Sequence, residues 1–370
     1  MNLSRHFCLG TLATAVLLGS SAAHGASDDL QTLITQARQE GALTVYASTG
    51  KIVKQAREFS EKYGIKAVGV KAKAPQIIEI MSREAKAHNV KTDVALLEDT
   101  PAAITQLLNP GAVVSYVPAD MQHKIPLRYQ QPLAVVLAPN VVSYNTAHHQ
   151  QCPITNLWQL TLPKWKGHVA MQDPTGKPAY TDWFNQMATH YDQQMRDAYQ
   201  QQFGQKLVTH EHSAMAEFVK RLAANRPLLT HSDTNAAAAI GAPDAKQDFV
   251  GFISTAKFRK NKDGMKLGLC AGLKPFMGWK YPSLGVIAKG SAHPAAAKLF
   301  IHYLLTQQGI APQTVDGKMS TNPDISLPAK EASGIGRYRN QLMPFHMDTA
   351  SSDWQQRQDW QDLWNLSYMQ

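Results

Sequence analysis

Leu43-Thr44-Val45-Tyr46-Ala47, followed by Ser48-Thr49-Gly50 and then by Lys51 to Phe59, is the stretch on which the fold turns. The first five residues alternate in polarity with the period of a half-buried strand, and the next three are turn formers. Ile52, Val53, Ala56 and Phe59 then recur at helical spacing, in a helix expected to end before Gly64. The unit repeats. Ile65 to Val70 reads as a strand, Pro75 to His88 as a helix carrying Ile77, Ile78 and Met81, and Val94 to Leu97 as a strand; Asp99-Thr100-Pro101 opens a short helix. Upstream, Leu30, Leu33, Ile34 and Ala37 share one helical face, introduced by Asp28 and Asp29 and stopped by Gly41. Strands alternating with helices predict a parallel sheet of the α/β class.

Further along, Pro132 to Tyr144 reads as a crossover strand leaving this first lobe. A second lobe is expected to hold strands at His168 to Met171, Pro227 to Thr230 and Phe249 to Ile253, with a helix after Pro178 and an Ala-rich helix from Asn235 to Ile240. Near Gly272 to Lys280 the chain returns, adding the strand Leu284 to Ala288 and the helix Pro294 to Gln308, which stops at Gly309. Two crossings make a hinge. The expected division is residues 26–135 with 275–320 as one lobe, 136–274 as the other, and 321–370, with Trp354, Trp360 and Trp364, as a helical tail packed on a lobe.

Residues 1–25 read as a signal peptide: Arg5 and His6, an apolar run from Phe7 to Leu18, then small residues from Gly19 to Ala26, with cleavage between 23 and 26. Cys8 stands at the start of the apolar run, where no lipid anchor attaches. Removing 25 of 370 residues leaves 345, more than one hydrophobic core supports, so two lobes are expected on size alone. Lys and Arg number 37 against 28 Asp and Glu; without Arg5 the balance is 36 − 28 = +8, which favours an anionic ligand. These charges are scattered rather than clustered on a face, and nucleic-acid binding is not expected. An oxidising compartment permits Cys152 and Cys270 to pair, and two separate buried thiols are equally compatible with the sequence.

Three segments carry a family resemblance: Glu40-Gly41-Ala42-Leu43-Thr44-Val45-Tyr46, Lys91-Thr92-Asp93-Val94, and Ser291 to Ile310, which reads SAHPAAAKLFIHYLLTQQGI. In these the chain resembles the extracellular solute-binding proteins (family 1) of ABC importers, in the branch of ferric-ion and hexose-phosphate binding proteins. The resemblance implies a two-lobe type II periplasmic-binding-protein fold, a hinge of two crossover strands and a ligand cleft between the lobes. It also implies a monomer in the periplasm, with a small-molecule ligand and an inner-membrane ABC permease and its ATPase as partners. Closure about the hinge converts ligand capture into a shape that a transporter recognises, with no catalysis and no cofactor required.

In open α/β sheets the ligand site lies beyond the carboxyl ends of the strands. The loops there are Ser48-Thr49-Gly50, Lys71 to Ala74, Glu98-Asp99-Thr100, Asp173 to Lys177 and His231 to Thr234. Ser48 and Thr49 place hydroxyls at a helix start, which suits a phosphate or carboxylate and equally suits helix capping. Asp173, Thr175 and Gly176, with Lys177, suit an anion arriving from the second lobe; the spacing is not that of a P-loop. Lys73 can neutralise a phosphate, Asp99 and Thr100 line the first lobe, and Trp279 can stack on a sugar ring. His231 and Asp233 alternate along an expected strand end, so both would face one side. Hexose-phosphate binders of the branch use an adjacent His and Asp there, whereas Ser232 intervenes here. Ferric binders rely on tyrosine phenolates, commonly an adjacent pair, and no Tyr-Tyr occurs. The expected ligand is therefore a sugar phosphate or phosphonate, with ferric iron second and a secreted metal enzyme third. For the enzyme, His210-Glu211-His212 with His231 and Asp233 offers zinc donors, but neither H-E-x-x-H nor G-x-S-x-G is present.

Overall fold

The computed structural model describes residues 30–369, and the expected signal peptide lies outside them. Helix α1 (Leu30–Ala37) leads into strand β1 (Leu43–Ala47), whose Leu43, Val45 and Ala47 point into the core. Helix α2 (Lys51–Tyr63) buries Ile52, Ala56, Phe59 and Tyr63 and ends at Gly64, whose left-handed backbone (φ 71°) lets its N–H reach the carbonyl of Ser60. Strand β2 (Ala67–Lys71), helix α3 (Ala74–Lys86), strand β3 (Val94–Leu97) and helix α4 (Thr100–Ala103) follow. β1 lies between β2 and β3, parallel to both.

After β4 (Val113–Ser115), the long β5 (Ala134–Asn145) carries the chain to β6 (Val169–Gln172), β7 (Leu228–Thr230), β8 (Val250–Ser254) and β9 (Leu267–Leu269). Here β6 is parallel to both β7 and β8; helices α5 (Pro178–His190), α6 (Asp192–Phe203) and α7 (Ala214–Ala224) lie between β6 and β7 in the chain, and α8 (Asp233–Gly241) packs on all three strands. Strand β10 (Gly278–Ala288) returns, followed by α9 (Pro294–Leu304), α10 (Gln307–Thr314), β11 (Met319–Ser320) and α11 (Ala350–Met369). The strand order is β2-β1-β3-β10-β5-β8-β6-β7. The antiparallel pair β5 and β10 stands at the centre: Asn140 to Tyr144 of β5 pair with β8, while Leu284 to Ile287 of β10 pair with β3. Two parallel groups are thereby joined through two long crossing strands.

Two local expectations change. The return is one continuous strand from Gly278 rather than a crossing segment and a separate strand; a register shift at Ser283 and Leu284 keeps it paired on both sides. The helix expected over 294–308 is two helices, because the Thr306 hydroxyl accepts from the Gly309 N–H (3.1 Å) and caps α10. Gly309 is thus inside a helix rather than past its end, where a Cβ would lie 1.9 Å from the Tyr303 carbonyl oxygen.

The tail ends in α11, which packs against α5 and α7 on one side of the hinge and α4 on the other. Its Trp360 and Trp364 are buried, and Trp364 stacks on Phe184. No described helix is long and apolar enough to cross a membrane.

Cys152 and Cys270 form a disulfide across a sequence separation of 118 residues. A loop of this length restricts the unfolded chain severely, so replacing both cysteines by serine is expected to lower the unfolding free energy by about 4 kcal/mol. Urea unfolding of the oxidised protein and the double variant checks this; coincident curves would show that the bridge adds nothing.

Candidate functional site

The carboxyl ends of β1, β2 and β3 are neighbours, so the loops at 48–50, 71–73 and 98–100 share one edge. The Ala72 N–H donates to the Ala47 carbonyl, tying the first two together. Among these groups the Ser48 hydroxyl is buried and has no hydrogen-bond partner among the described residues, while the Thr49 hydroxyl accepts from the Lys51 N–H (3.3 Å). Lys73 is exposed at the start of α3. On the other side of the hinge, β6 pairs with β7, and the Asp173 N–H donates to the Thr230 carbonyl, so the loops at 173–177 and 231–234 lie side by side.

The two sides meet at Glu98. Lys318, just before β11, forms an ion pair and hydrogen bond with Glu98, and Lys177 from the far side adds its charge. Burial would lift the Glu98 carboxyl, but the two lysines outweigh it and hold the group below its ordinary value. Beside Lys318, Asp316 is shared by Lys51 of α2 (3.4 Å) and Arg259 beyond β8 (3.0 Å). Lys257 lies 3.5 Å from Asp233. Cations thus outnumber carboxylates here: one aspartate serves two of them, and Lys177 is added to a glutamate already paired.

Several expected site residues are engaged in ways the sequence did not disclose. The Thr175 N–H and hydroxyl both donate to the Asp173 carboxylate (2.9 and 2.8 Å), and the Gly176 N–H donates to the Asp173 carbonyl, so this loop closes on itself. β7 ends at Thr230 and Ser232 caps α8, so His231 and Asp233 do not alternate on a strand. His231 is exposed, whereas the Asp233 carboxylate accepts from the Ser254 N–H and hydroxyl. Trp279 faces the core: it is fully buried and stacked on Trp183 at 4.5 Å, so it offers no face to a sugar. The Thr100 hydroxyl donates to the Pro282 carbonyl in the interior. Of the zinc-donor candidates, Glu211 pairs with Lys220 and His212 packs on Trp360; no group of three or more His, Cys, Asp or Glu among the described residues gathers as a metal holder.

Sequence reasoning missed Arg357 altogether. From α11 its guanidinium grips Asp99 with two hydrogen bonds (2.9 and 3.2 Å) and also donates to Asp182 of α5 (3.0 Å). Tyr281 of β10 donates to the same Asp182. Asp99, which also caps α4 through the Ala102 N–H, is therefore a bridging group and not a free ligand donor. The available signal was Trp354, Arg357, Trp360 and Trp364 at helical spacing, a cation within an aromatic face. Burial first, then the Asp99 and Asp353 charges, push the Asp182 carboxyl up to about 7 against the pull of Arg357 and Tyr281.

The model of a bacterial extracellular solute-binding protein family matches residues 43–317. No curated protein matches the chain. Among solved structures, iron-bound HitA from Pseudomonas aeruginosa is similar at TM-score 0.65 and 17% identity, over 86% of this chain and 99% of that one. Apo ferric ion-binding protein A from Pasteurella haemolytica gives 0.66 and 16%, over 88% and 98%. The periplasmic binding protein AfuA from Actinobacillus pleuropneumoniae, with exogenous fructose-6-phosphate bound, gives 0.62 and 19%, over 88% and 99%. The fold is accordingly the expected two-lobe type II periplasmic-binding-protein fold, with β5 and β10 as its hinge strands and a cleft between the lobes.

Because Asp182 holds its proton up to about pH 7 when folded and only to 3.8 otherwise, the folded chain binds that proton more tightly, and stability from this group falls as pH rises from about 4 to 7. Relative to Asp182→Asn, the native protein should gain on the order of 2 kcal/mol between about pH 8 and pH 5. Denaturant unfolding at both pH values tests this, and a constant difference between the two proteins would remove the proton from Asp182.

Proposed function

Since the chain belongs to the bacterial extracellular solute-binding proteins, we propose that it captures a small anionic organic solute, a sugar phosphate or a phosphonate, and delivers it to an inner-membrane ABC permease and its ATPase. It acts from the periplasm as a monomer and does no chemistry of its own. The lobes are residues 26–135 with 275–320, and 136–274. The observation that carries the ligand class is the excess of cations where the two sides of the cleft meet: Lys318 and Lys177 on Glu98, Lys51 and Arg259 on Asp316. An incoming anion would take the place that the carboxylates leave unbalanced. Charge-assisted hydrogen bonds from these groups are strong and directional. The unpartnered Ser48 hydroxyl and the Thr49 hydroxyl at the start of α2 supply further donors on the same edge, and exposed His231 is available to the rest of the ligand.

A ligand that binds only the native state raises its melting temperature. The ligand-stripped mature protein is expected to shift with a phosphorylated or phosphonate compound and not with ferric citrate. Lys177→Ala and Lys318→Ala should each weaken that binding by about tenfold or more, the scale of one charge-assisted contact, without unfolding the protein. A shift with ferric citrate alone would replace the anion reading by ferric transport.

A further inference from the structure

A second cationic site lies away from the cleft, on the hinge. A cavity of about 130 Å³ is bounded by Leu137 of β5, Lys280 of β10, Met319 and Ser320 of β11, the turn around Arg128, and the tail turn carrying Arg339. It includes none of the loops that form the cleft edge. Lys280 and Pro139 are paired across the two hinge strands. Along β10 the side chains of Trp279 and Tyr281 point to the opposite face, toward Trp183 and Asp182.

What distinguishes the cavity is its charge. Among the described residues no Asp or Glu lines it. Arg128 rests over the Tyr129 ring and Lys280 reaches the Arg339 carbonyl (3.4 Å), so neither side chain finds a carboxylate among the described residues. Asp324, from the same tail segment, is turned to Lys124 (3.0 Å). Burial, then the Arg128 and Arg339 charges, push the Lys280 ammonium below its ordinary value. Like charges gathered around a concave, half-buried space repel one another, and the cleft cations, each beside a carboxylate, show the ordinary remedy.

We propose that this hinge cavity is a binding site for a small oxyanion, a phosphate group held by Lys280, Arg128 and Arg339. Three cations converging on one space match the charge of a phosphate, and guanidinium groups suit its planar pairs of oxygens. The volume sets the size. At about 30 Å³ per water it equals roughly four waters, enough for a phosphate group but not for a whole hexose phosphate. A bound anion would join the 126–129 turn, the hinge strand and the tail, and so stiffen the segment about which the lobes move.

The test titrates inorganic phosphate, and separately a phosphorylated sugar, into the full mature protein by calorimetry in otherwise anion-poor buffer. With the cleft weakened throughout by Lys318→Ala, inorganic phosphate is expected still to bind, and its affinity to fall about tenfold or more when Lys280→Met or the double variant Arg128→Gln/Arg339→Gln is added. Both arginines are exposed, so the double variant carries the test if Lys280→Met fails to fold. If only the phosphorylated sugar binds in a Lys280-dependent way, the phosphate group is held as part of an organic molecule and the site stands. Phosphate binding that persists in both hinge variants, or that vanishes in Lys318→Ala alone, overturns the proposal.

Discussion

Arg357 draws distant parts of the chain to one point. Its guanidinium receives Asp99 from the end of β3 and Asp182 from α5, and Tyr281 of the hinge strand completes the group. Two carboxylates against one guanidinium leave an excess negative charge in a buried place, and a proton on Asp182 is the physical answer to it. A buried ion cluster of this kind is a weak source of stability, because desolvation offsets most of the attraction. Its value is specification: α11 can sit across α4 and α5 in one register only, since any slip leaves a charge buried without a partner. The aromatic contacts of Trp360 and Trp364 supply the burial, and the ion cluster fixes where that burial occurs.

The cleft follows a different electrostatic logic. Glu98, Asp233 and Asp316 hold lysine and arginine side chains that would otherwise be mobile, so each cation is placed before a ligand arrives. Pre-placement lowers the entropy cost of any contact these cations make. In the 173–177 loop Asp173 satisfies Thr175 and Gly176 internally, which steadies the segment that carries Lys177.

Legibility of the sequence divides along the range of the interactions. β1 to β3 and the helices between them could be read because alternation, helical spacing and Gly64 are local signals. The loops at 48–50, 71–73 and 98–100 follow from those strands, so that edge of the first lobe was legible too. Individual roles were not. Trp279 lies in the core because Trp183, 96 positions away in the chain (279 − 183), stacks on it, and Asp99 is engaged by Arg357, 258 positions away. The break between α9 and α10 was readable in principle, since Thr306 stands three residues before Gly309 as a cap does, but the apolar periodicity on either side concealed it.

The path of the chain also dictates an order of assembly. Residues 152–270 form a continuous stretch closed by its own disulfide, and β6, β7 and β8 pair within it. The first sheet is different, because β3 takes as its neighbour β10, nearly the last strand made. Pairings so distant in sequence are slow, since loop closure must precede any gain from contact. The contiguous lobe is therefore able to mature while the amino-terminal strands still lack an edge partner, and that exposed edge is the part of the nascent molecule most in need of a chaperone. Pairing of β10 with β3 is the step that ends this vulnerability.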